Sequence, residues 1–323
     1  MTVFGFGEVL LRYTPPNYEQ LKDTHTFDVN VGGAELNALI TLAEFGHNTE
    51  MLTVLPQHAL SHIALQKMYQ TRVGTKFVKQ QQGRIGTYYM EESFGYRSGK
   101  VIYDREHSTF AEHGNTVVDG LGTQSGDYFI FTGITLAVNK TIREQIVSVL
   151  TELKAQGTKI VFDINFRSNL WTKAEALPVI QSVLPLVDVL FFGKKDATHL
   201  LETNDENDDI ETCAKTIQKR FDIDLMASSN RDIEQSTLQG IALDGEKFIS
   251  GKAYSYTVLN RIGAGDAFMA GFLHGLAKGW PLDAITDFAT KCSVIQHTTN
   301  EDALNIEESA VHNLSPHFGE LKR

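Results

Sequence analysis

A short glycine loop runs directly into a predicted helix in the last quarter of the chain. Gly263, Ala264 and Gly265 stand immediately before Asp266. Because glycine has no side chain, an anion could approach the backbone N–H groups here, where the helix dipole adds partial positive charge. A neighbouring carboxylate could accept a proton from an attacking hydroxyl while the amides stabilise a transferred phosphoryl group. The segment indicates phosphoryl transfer with Asp266 as the base, although Gly-x-Gly-Asp alone also fits a helix cap.

The composition argues against several other classes of function. The chain has 323 residues and a formal charge of −11, whereas nucleic acids and anionic membranes bind basic patches. No apolar run approaches the roughly 20 residues of a membrane span. Glu8 and Arg12 interrupt the region where a signal peptide would be apolar, so we expect a cytoplasmic protein. Cys213 and Cys292 lack the paired spacing of a zinc site or a disulfide framework.

The segments that must position the glycine loop follow an α/β pattern. An apolar run over residues 3–11 predicts one buried strand at the start of the chain. Later strands alternate with helices, which is typical of parallel βαβ units. We expect these strands at 127–131, 159–163, 187–192 and 223–227. Two further strands, at 84–92 and 100–104, interrupt the pattern and predict a small β flap.

Four separated motifs resemble those of the ribokinase-like, or phosphofructokinase B, carbohydrate kinases, and most closely their 2-keto-3-deoxygluconate kinase branch. In chain order they are VGGAELNALITLAEFG (31–46), GTYYMEE to VIYDRE (86–106), DINFRSNLW (163–171) and NRIGAGDAF (260–268). The resemblance covers nearly the whole chain. It implies a single α/β domain over residues 1–323, with three α/β/α layers around a mostly parallel central sheet. It also implies a small lid of β-strands inserted from about residues 12–30 and 84–110.

The same resemblance implies a sugar site. Gly33 and Asn37 would bind sugar hydroxyls, and further residues would line the site from the lid, the sheet and the region near the nucleotide loop. These residues are Tyr89, Tyr103, Arg105, Arg167 and Asp302. A planar guanidinium matches a carboxylate, and a neutral sugar does not need two of them. We therefore expect phosphorylation of 2-keto-3-deoxygluconate to 2-keto-3-deoxy-6-phosphogluconate, with a neutral sugar such as fructose or ribose as the alternative substrate.

For ATP, the resemblance implies contacts from Asn165, Ser228 and Arg231 beside the glycine loop, with Gly263 and Gly265 facing the nucleotide. Magnesium would arrive with the nucleotide, held mostly by phosphate oxygens and water. A monovalent cation is left open as a further cofactor.

Two positions depart from the family pattern, and the first of them bears on metal use. The segment Gly193-Lys194-Lys195-Asp196 replaces an Asn-x-x-Glu motif, which leaves Asp196 as the candidate metal ligand, and Asn260 stands where many relatives carry Asp. These changes keep open a catalytically silent sugar-binding or nucleotide-binding regulator. The open edges of the flap predict a homo-oligomer, a dimer or larger.

Overall fold

A nine-stranded sheet forms the centre of the computed structural model, which describes residues 1–232 and 234–314. The strands in chain order are β1 (Thr2–Phe6), β2 (Leu10–Thr14), β3 (Asp28–Gly32), β4 (Asn48–Pro56), β5 (Val78–Gln81), β6 (Gly86–Glu91), β7 (Lys100–Asp104), β8 (Tyr128–Thr132), β9 (Lys159–Asp163), β10 (Val189–Phe191), β11 (Leu225–Asp232), β12 (Thr237–Asp244) and β13 (Lys247–Ser255). The central sheet has the order β13-β12-β11-β10-β9-β8-β1-β4-β5. Its pairs are parallel from β5 through β11, and only β12 and β13 add antiparallel pairs. The expected mostly parallel sheet is confirmed.

Helices cover both faces of this sheet. They are α1 (Ala34–Glu44), α2 (Ser61–Gln70), α3 (Thr109–His113), α4 (Gly133–Val138), α5 (Lys140–Ala155), α6 (Lys173–Val183), α7 (Ile210–Phe221), α8 (Ala264–Ala277), α9 (Leu282–Gln296) and α10 (Glu308–His312). Alternation along β8 shows the layering, because Phe129 and Phe131 pack with α5, α6 and α7 whereas Ile130 packs with α1, α8 and α9. The three-layer α/β/α architecture is therefore confirmed.

A second, smaller sheet of four strands forms a lid, with the order β3-β2-β6-β7. The single strand predicted over residues 3–11 is wrong, because the chain leaves the central sheet after Phe6 and enters the lid at Leu10. Gly7 occupies the gap, where a Cβ would lie 2.1 Å from the Glu35 Oε2 atom. A strand buried on both faces would be apolar throughout. Here Glu8 lies in the connection between β1 and β2, outside both strands.

Helices α8 and α9 pack closely behind the glycine loop. A Cβ added at Gly271 would lie 2.8 Å from the Cys292 sulfur and 3.0 Å from the Ala289 Cα. These small residues on α8 therefore bring the two helices together, which anchors the helix that begins at the loop. In the described part of the chain, no helix combines the length and apolarity needed to cross a membrane.

Candidate active site

Asp266 lies in the first turn of α8 and is 9% exposed. The Asn37 Nδ2 atom on α1 donates a hydrogen bond of 2.7 Å to the Asp266 Oδ2 atom. Burial raises the pKa of Asp266 to about 7, although the bond from Asn37 opposes this shift. A carboxyl with such a pKa is suited to accept a proton near neutral pH.

The glycine loop has one closed face and one open face. Gly263 has a φ of 76°, and a Cβ there would lie 1.8 Å from the Asp302 backbone oxygen. Only glycine fits this conformation and this contact. At Gly265 an added Cβ would meet no atom within 4 Å, so this side of the helix start is open to a ligand. Ala264, between them, is the first residue of α8.

Two more carboxylates lie near Asp266, at the carboxyl ends of β9 and β10. Burial, together with the charges of Asp196 and Asp266, raises the pKa of Asp163 to about 8. Burial also raises the pKa of Asp196 to about 6, against a hydrogen bond of 2.7 Å from the Gly193 N–H. The Arg167 guanidinium lowers the pKa of all three carboxyls. These charged side chains lie at the carboxyl ends of the parallel strands. An open α/β sheet binds its ligand at this edge, so an anionic ligand and its counterions are expected here.

The residues expected to contact ATP lie on neighbouring strand ends. Asn165 follows β9 with a φ of 39°, and the Asp163 carboxylate accepts hydrogen bonds from its backbone N–H and its side chain. Ser228 is buried within β11, whereas Arg231 is exposed three residues further along that strand. Parallel β9, β10 and β11 are adjacent in the sheet, so their ends form one continuous edge.

The lid presents Tyr88, rather than Tyr89, to the glycine loop. Tyr88 pairs in register with Tyr103, and Tyr88 belongs to the apolar cluster against which Tyr103 and Ile262, the residue before the loop, also pack. Tyr89 lies on the opposite face, where its ring stacks on Tyr13 at 5.4 Å. Successive side chains of a strand alternate between faces, so Tyr89 and Tyr103 cannot both line one site. Tyr88 and Tyr103 therefore share the lid face that meets the loop, and Tyr89, which was expected at the sugar, lies on the other face.

Arg105 is buried and forms an ion pair with Glu8. The Arg105 Nε atom donates to the Glu8 Oε2 atom at 2.7 Å, and the Ser108 hydroxyl donates to the Glu8 Oε1 atom. The backbone oxygen of Glu8 also lies 2.4 Å from where a Cβ on Gly33 would stand, so Gly33 brings the start of α1 against this pair. Glu8 compensates the charge of Arg105, and this partner is not evident from the sequence.

Asp302 is likewise engaged by protein groups. The Arg12 Nε and Nη2 atoms lie 2.9 and 2.7 Å from the Asp302 Oδ1 atom, and the Tyr88 hydroxyl donates to Oδ2 at 2.9 Å. Arg12 and Asp302 are each 2% exposed. Asp302 therefore joins the lid to the segment beneath the glycine loop. This placement agrees with the expected proximity to the loop, and its carboxylate already has two protein partners.

Buried carboxylates are the functional residues that sequence reasoning missed. Glu35, in the first turn of α1, is 1% exposed and accepts a hydrogen bond of 2.6 Å from the Thr135 hydroxyl. Burial raises its pKa, and its charge in turn raises the pKa of Asp266. For Glu8, the sequence signal of a buried charge was that Glu8 and Arg12 stand within an otherwise apolar run.

Comparisons with known proteins identify the family of the chain. The sequence profile of the pfkB family carbohydrate kinases matches residues 2–308, so the chain belongs to that family and is a carbohydrate kinase. It is 27% identical to the 2-dehydro-3-deoxygalactonokinase of Haloferax volcanii, over 92% of this chain and 91% of that protein. It is 28% identical to the 2-dehydro-3-deoxygluconokinase of Escherichia coli K12, over 75% of this chain and 79% of that protein.

A solved structure gives the same family assignment. The crystal structure of the 2-dehydro-3-deoxygluconokinase from Thermotoga maritima superposes with a TM-score of 0.89 at 27% identity. The match covers 97% of this chain and 98% of that one. The expectation of a ribokinase-like sugar kinase is confirmed.

Proposed function

We propose that this kinase transfers the γ-phosphoryl group of ATP to the terminal hydroxyl of 2-keto-3-deoxygluconate, the compound also called 2-dehydro-3-deoxygluconate. The observation that carries the proposal is the buried Asp266, held by Asn37 beside a glycine loop that is open at Gly265. Two relatives at 27 and 28% identity are named for 2-dehydro-3-deoxy sugar acids, which supports this class of substrate.

In this mechanism Asp266 accepts the proton of the sugar hydroxyl as the oxygen attacks phosphorus. The N-terminal amides of α8 stabilise the negative charge on the transferred group. The bond from Asn37 holds the carboxylate in one orientation, which leaves its second oxygen for the sugar. The lid face with Tyr88 and Tyr103 covers the sugar and excludes water, so that ATP is not hydrolysed instead.

Asp163 and Asp196 are suited to the magnesium that accompanies ATP. Their raised pKa values arise from burial and, for Asp163, from the neighbouring carboxylates, and a divalent cation would relieve that repulsion. Within residues 1–232 and 234–314, no three His, Cys, Asp or Glu side chains could hold a metal by themselves. Phosphate oxygens and water would therefore complete the ligand set. Bound magnesium supplies neutralisation of phosphate charge.

Arg167 is the best candidate to bind the carboxylate of the acid. It is exposed at the strand end near Asp266, whereas the Nε and Nη2 atoms of Arg105 are used by Glu8. Arg105 retains Nη1 as a donor toward the sugar. Recognition of an acid would then depend on the placement of individual N–H groups rather than on two uncompensated positive charges.

The test is a coupled ADP-release assay with ATP and magnesium. The acceptors are 2-keto-3-deoxygluconate, its galactonate epimer, gluconate, fructose and ribose, with a reaction lacking sugar as control. We expect selective turnover of one or both ketodeoxy acids. The phosphorylated product is then checked for ester formation at the terminal carbon.

A neutral sugar is the second candidate, because Glu8 compensates the charge of Arg105. Preference for fructose or ribose in the same panel would support that alternative and would contradict carboxylate recognition. Absence of turnover with every acceptor, combined with measurable ADP binding, would indicate a silent nucleotide-binding regulator.

We further propose that the lid mediates a homodimer. In register across its outer face stand Val29, Tyr13, Tyr89 and Ile102, and Val29 and Ile102 are 43 and 53% exposed. An exposed apolar row across a small sheet with open edges favours pairing with a second copy. Sedimentation velocity should show a dimer that Ile102→Lys dissociates, and a wild-type monomer at micromolar concentration would contradict the proposal.

A further inference from the structure

The segment that leads into the glycine loop rests on the C-terminal end of α9. The backbone oxygen of His297 accepts hydrogen bonds from the Leu259 N–H at 2.8 Å and the Asn260 N–H at 3.2 Å. The carbonyl groups of Ile262 and Glu301 approach the same region from two different chain segments. The loop amides can bind an anion only if the loop is held in place. The group that donates hydrogen bonds to these two carbonyl oxygens holds the loop and therefore matters for catalysis.

One side chain satisfies both carbonyl groups. Gln296, the last residue of α9, is fully buried, and its Nε2 atom donates to the Ile262 oxygen at 3.0 Å and to the Glu301 oxygen at 2.7 Å. The same Nε2 atom lies 3.2 Å from where a Cβ on Gly263 would stand, directly beneath the loop. Both acceptors are carbonyl oxygens, so only the NH2 group of the amide can face them.

A monovalent cation would compete for these oxygen atoms. Such ions are held in proteins by rings of oxygen ligands, often backbone carbonyls. Here the two converging carbonyls already accept from Gln296. Asn260 adds a second amide; the Gln296 Oε1 atom, a single acceptor, and the Asn260 Nδ2 atom are buried without hydrogen-bond partners in the described part of the chain. One free oxygen does not make the ring of oxygen ligands that a monovalent cation needs. The Asn260 Oδ1 atom already accepts from the Ile262 N–H at 3.0 Å, so Nδ2 is the free atom of that amide. That atom is a donor where a cation would need an acceptor.

The surrounding charges also disfavour a cation. The Asp302 carboxylate is bound by Arg12 and Tyr88, and the Glu301 carboxylate pairs outward with Lys67 at 2.8 Å. Burial lowers the pKa of His297, and the charges of Arg231 and Arg261 lower it further. The underside of the loop thus combines amide donors with nearby positive charge. The ligand set does not fit the monovalent cation that the family resemblance left open.

We propose that Gln296, supported by Asn260, takes the place of a monovalent cation beneath the glycine loop. Gln296 is then a positioning residue, which orients the loop amides without contacting the substrate. Phosphoryl transfer in this protein does not depend on a monovalent cation. The inference rests on the phosphoryl transfer proposed above, and the experiments below separate a failure of one from a failure of the other.

The first experiment compares the full-length wild type in potassium, sodium, caesium and tetramethylammonium chloride at equal ionic strength. We expect kcat, and the Kd of ADP with magnesium measured by calorimetry, to vary by less than about twofold, because no site coupled to catalysis is filled by the ion. Activation or tightening by potassium of more than about fivefold would overturn the proposal. ADP binding needs no acceptor sugar, so this result stands even if the acceptor assay fails.

The second experiment removes the amide with Gln296→Ala. We expect kcat to fall roughly ten- to hundredfold while the KM of the sugar acid changes little, because a donor that positions the loop is lost. Gln156→Ala is the matched control, since Gln156 lies just before β9 begins, at the opposite end of that strand from Asp163, and its Nε2 atom donates at 3.4 Å to the Leu121 backbone oxygen. An unchanged kcat in Gln296→Ala would overturn the role of Gln296. If that variant does not fold, the ion series on the wild type still decides the proposal.

Discussion

Replacement of Gly265 by alanine should separate catalysis from stability. An added methyl group at this position meets no protein atom within 4 Å, and the residue lies in the first turn of α8. Alanine also favours helix over glycine by up to about 1 kcal/mol. The free energy of unfolding should therefore stay the same or rise slightly. The methyl group would nevertheless stand on the open face of the loop, where the phosphoryl group must approach the backbone N–H groups.

The expected catalytic loss can be set by analogy with the removal of one oxyanion donor. Such a loss lowers kcat by about 10²–10³, or about 2.7–4 kcal/mol of transition-state stabilisation. Gly271→Ala, on the same helix, is the matched control with the opposite expectation. Its Cβ would lie 2.8 Å from the Cys292 sulfur, so overpacking should cost about 1–3 kcal/mol of stability. The kcat of the folded Gly271→Ala enzyme should remain that of the wild type.

Both variants are measured by the ADP-release assay and by thermal unfolding on the same preparations. Unchanged kcat in Gly265→Ala, at unchanged Tm, would refute the claim that the transferred group meets the loop at this point. A parallel loss of kcat in Gly271→Ala would show that the assay reports general damage to α8.

The remaining predictions concern charged groups of the site. Asp266→Asn should lower kcat by about 10²–10⁴ while the Kd of the sugar acid, measured by calorimetry, stays constant; retained turnover would exclude Asp266 as the base. Because the base must be deprotonated and the pKa of Asp266 is raised to about 7, kcat/KM should rise with pH and level off above about 7, which a pH-rate profile checks. Arg167→Ala should raise the KM of the acid roughly tenfold or more and change that of ATP little; equal effects would argue against carboxylate recognition. Asp163 binds a proton more tightly in the folded state, with a pKa of about 8, so stability should fall as pH rises from about 4 toward 8. Asp163→Asn should make that decline smaller, with a residual decline from the raised pKa values of Asp196 and Asp266, and Tm measured across this range without magnesium tests it.

The glycine loop and its base could be predicted because the relevant residues are adjacent in sequence. Gly263, Gly265 and Asp266 form a loop and a helix start from local backbone preferences alone. The mostly parallel sheet followed from the alternation of strands and helices, which leaves few topologies open. Asn37 is separated from Asp266 by 229 residues, and only the family resemblance related the two.

Glu8 is the one sign of a break near Gly7, because the other residues of 3–11 are apolar or glycine and fit one continuous strand. Only the close approach of the Glu35 carboxylate explains why the ladder stops there. The choice between Tyr88 and Tyr89 is a related case. Alternation predicts that the two side chains face opposite sides of the lid, but the side that covers the site depends on the register with Tyr103 and on the apolar cluster against which Ile262 packs.

Ion pairs between residues far apart in sequence alter the expected electrostatics of acid recognition. The expectation of an acid substrate treated Arg105 and Arg167 as two free positive charges. Arg105 is not free, because it pairs with Glu8, 97 residues away in the sequence. A compensated guanidinium still binds a carboxylate through a correctly placed N–H group, but it supplies little net attraction. If an acid is the substrate, its affinity should therefore depend on the geometry of Arg167 and on the closure of the lid more than on the net charge of the site.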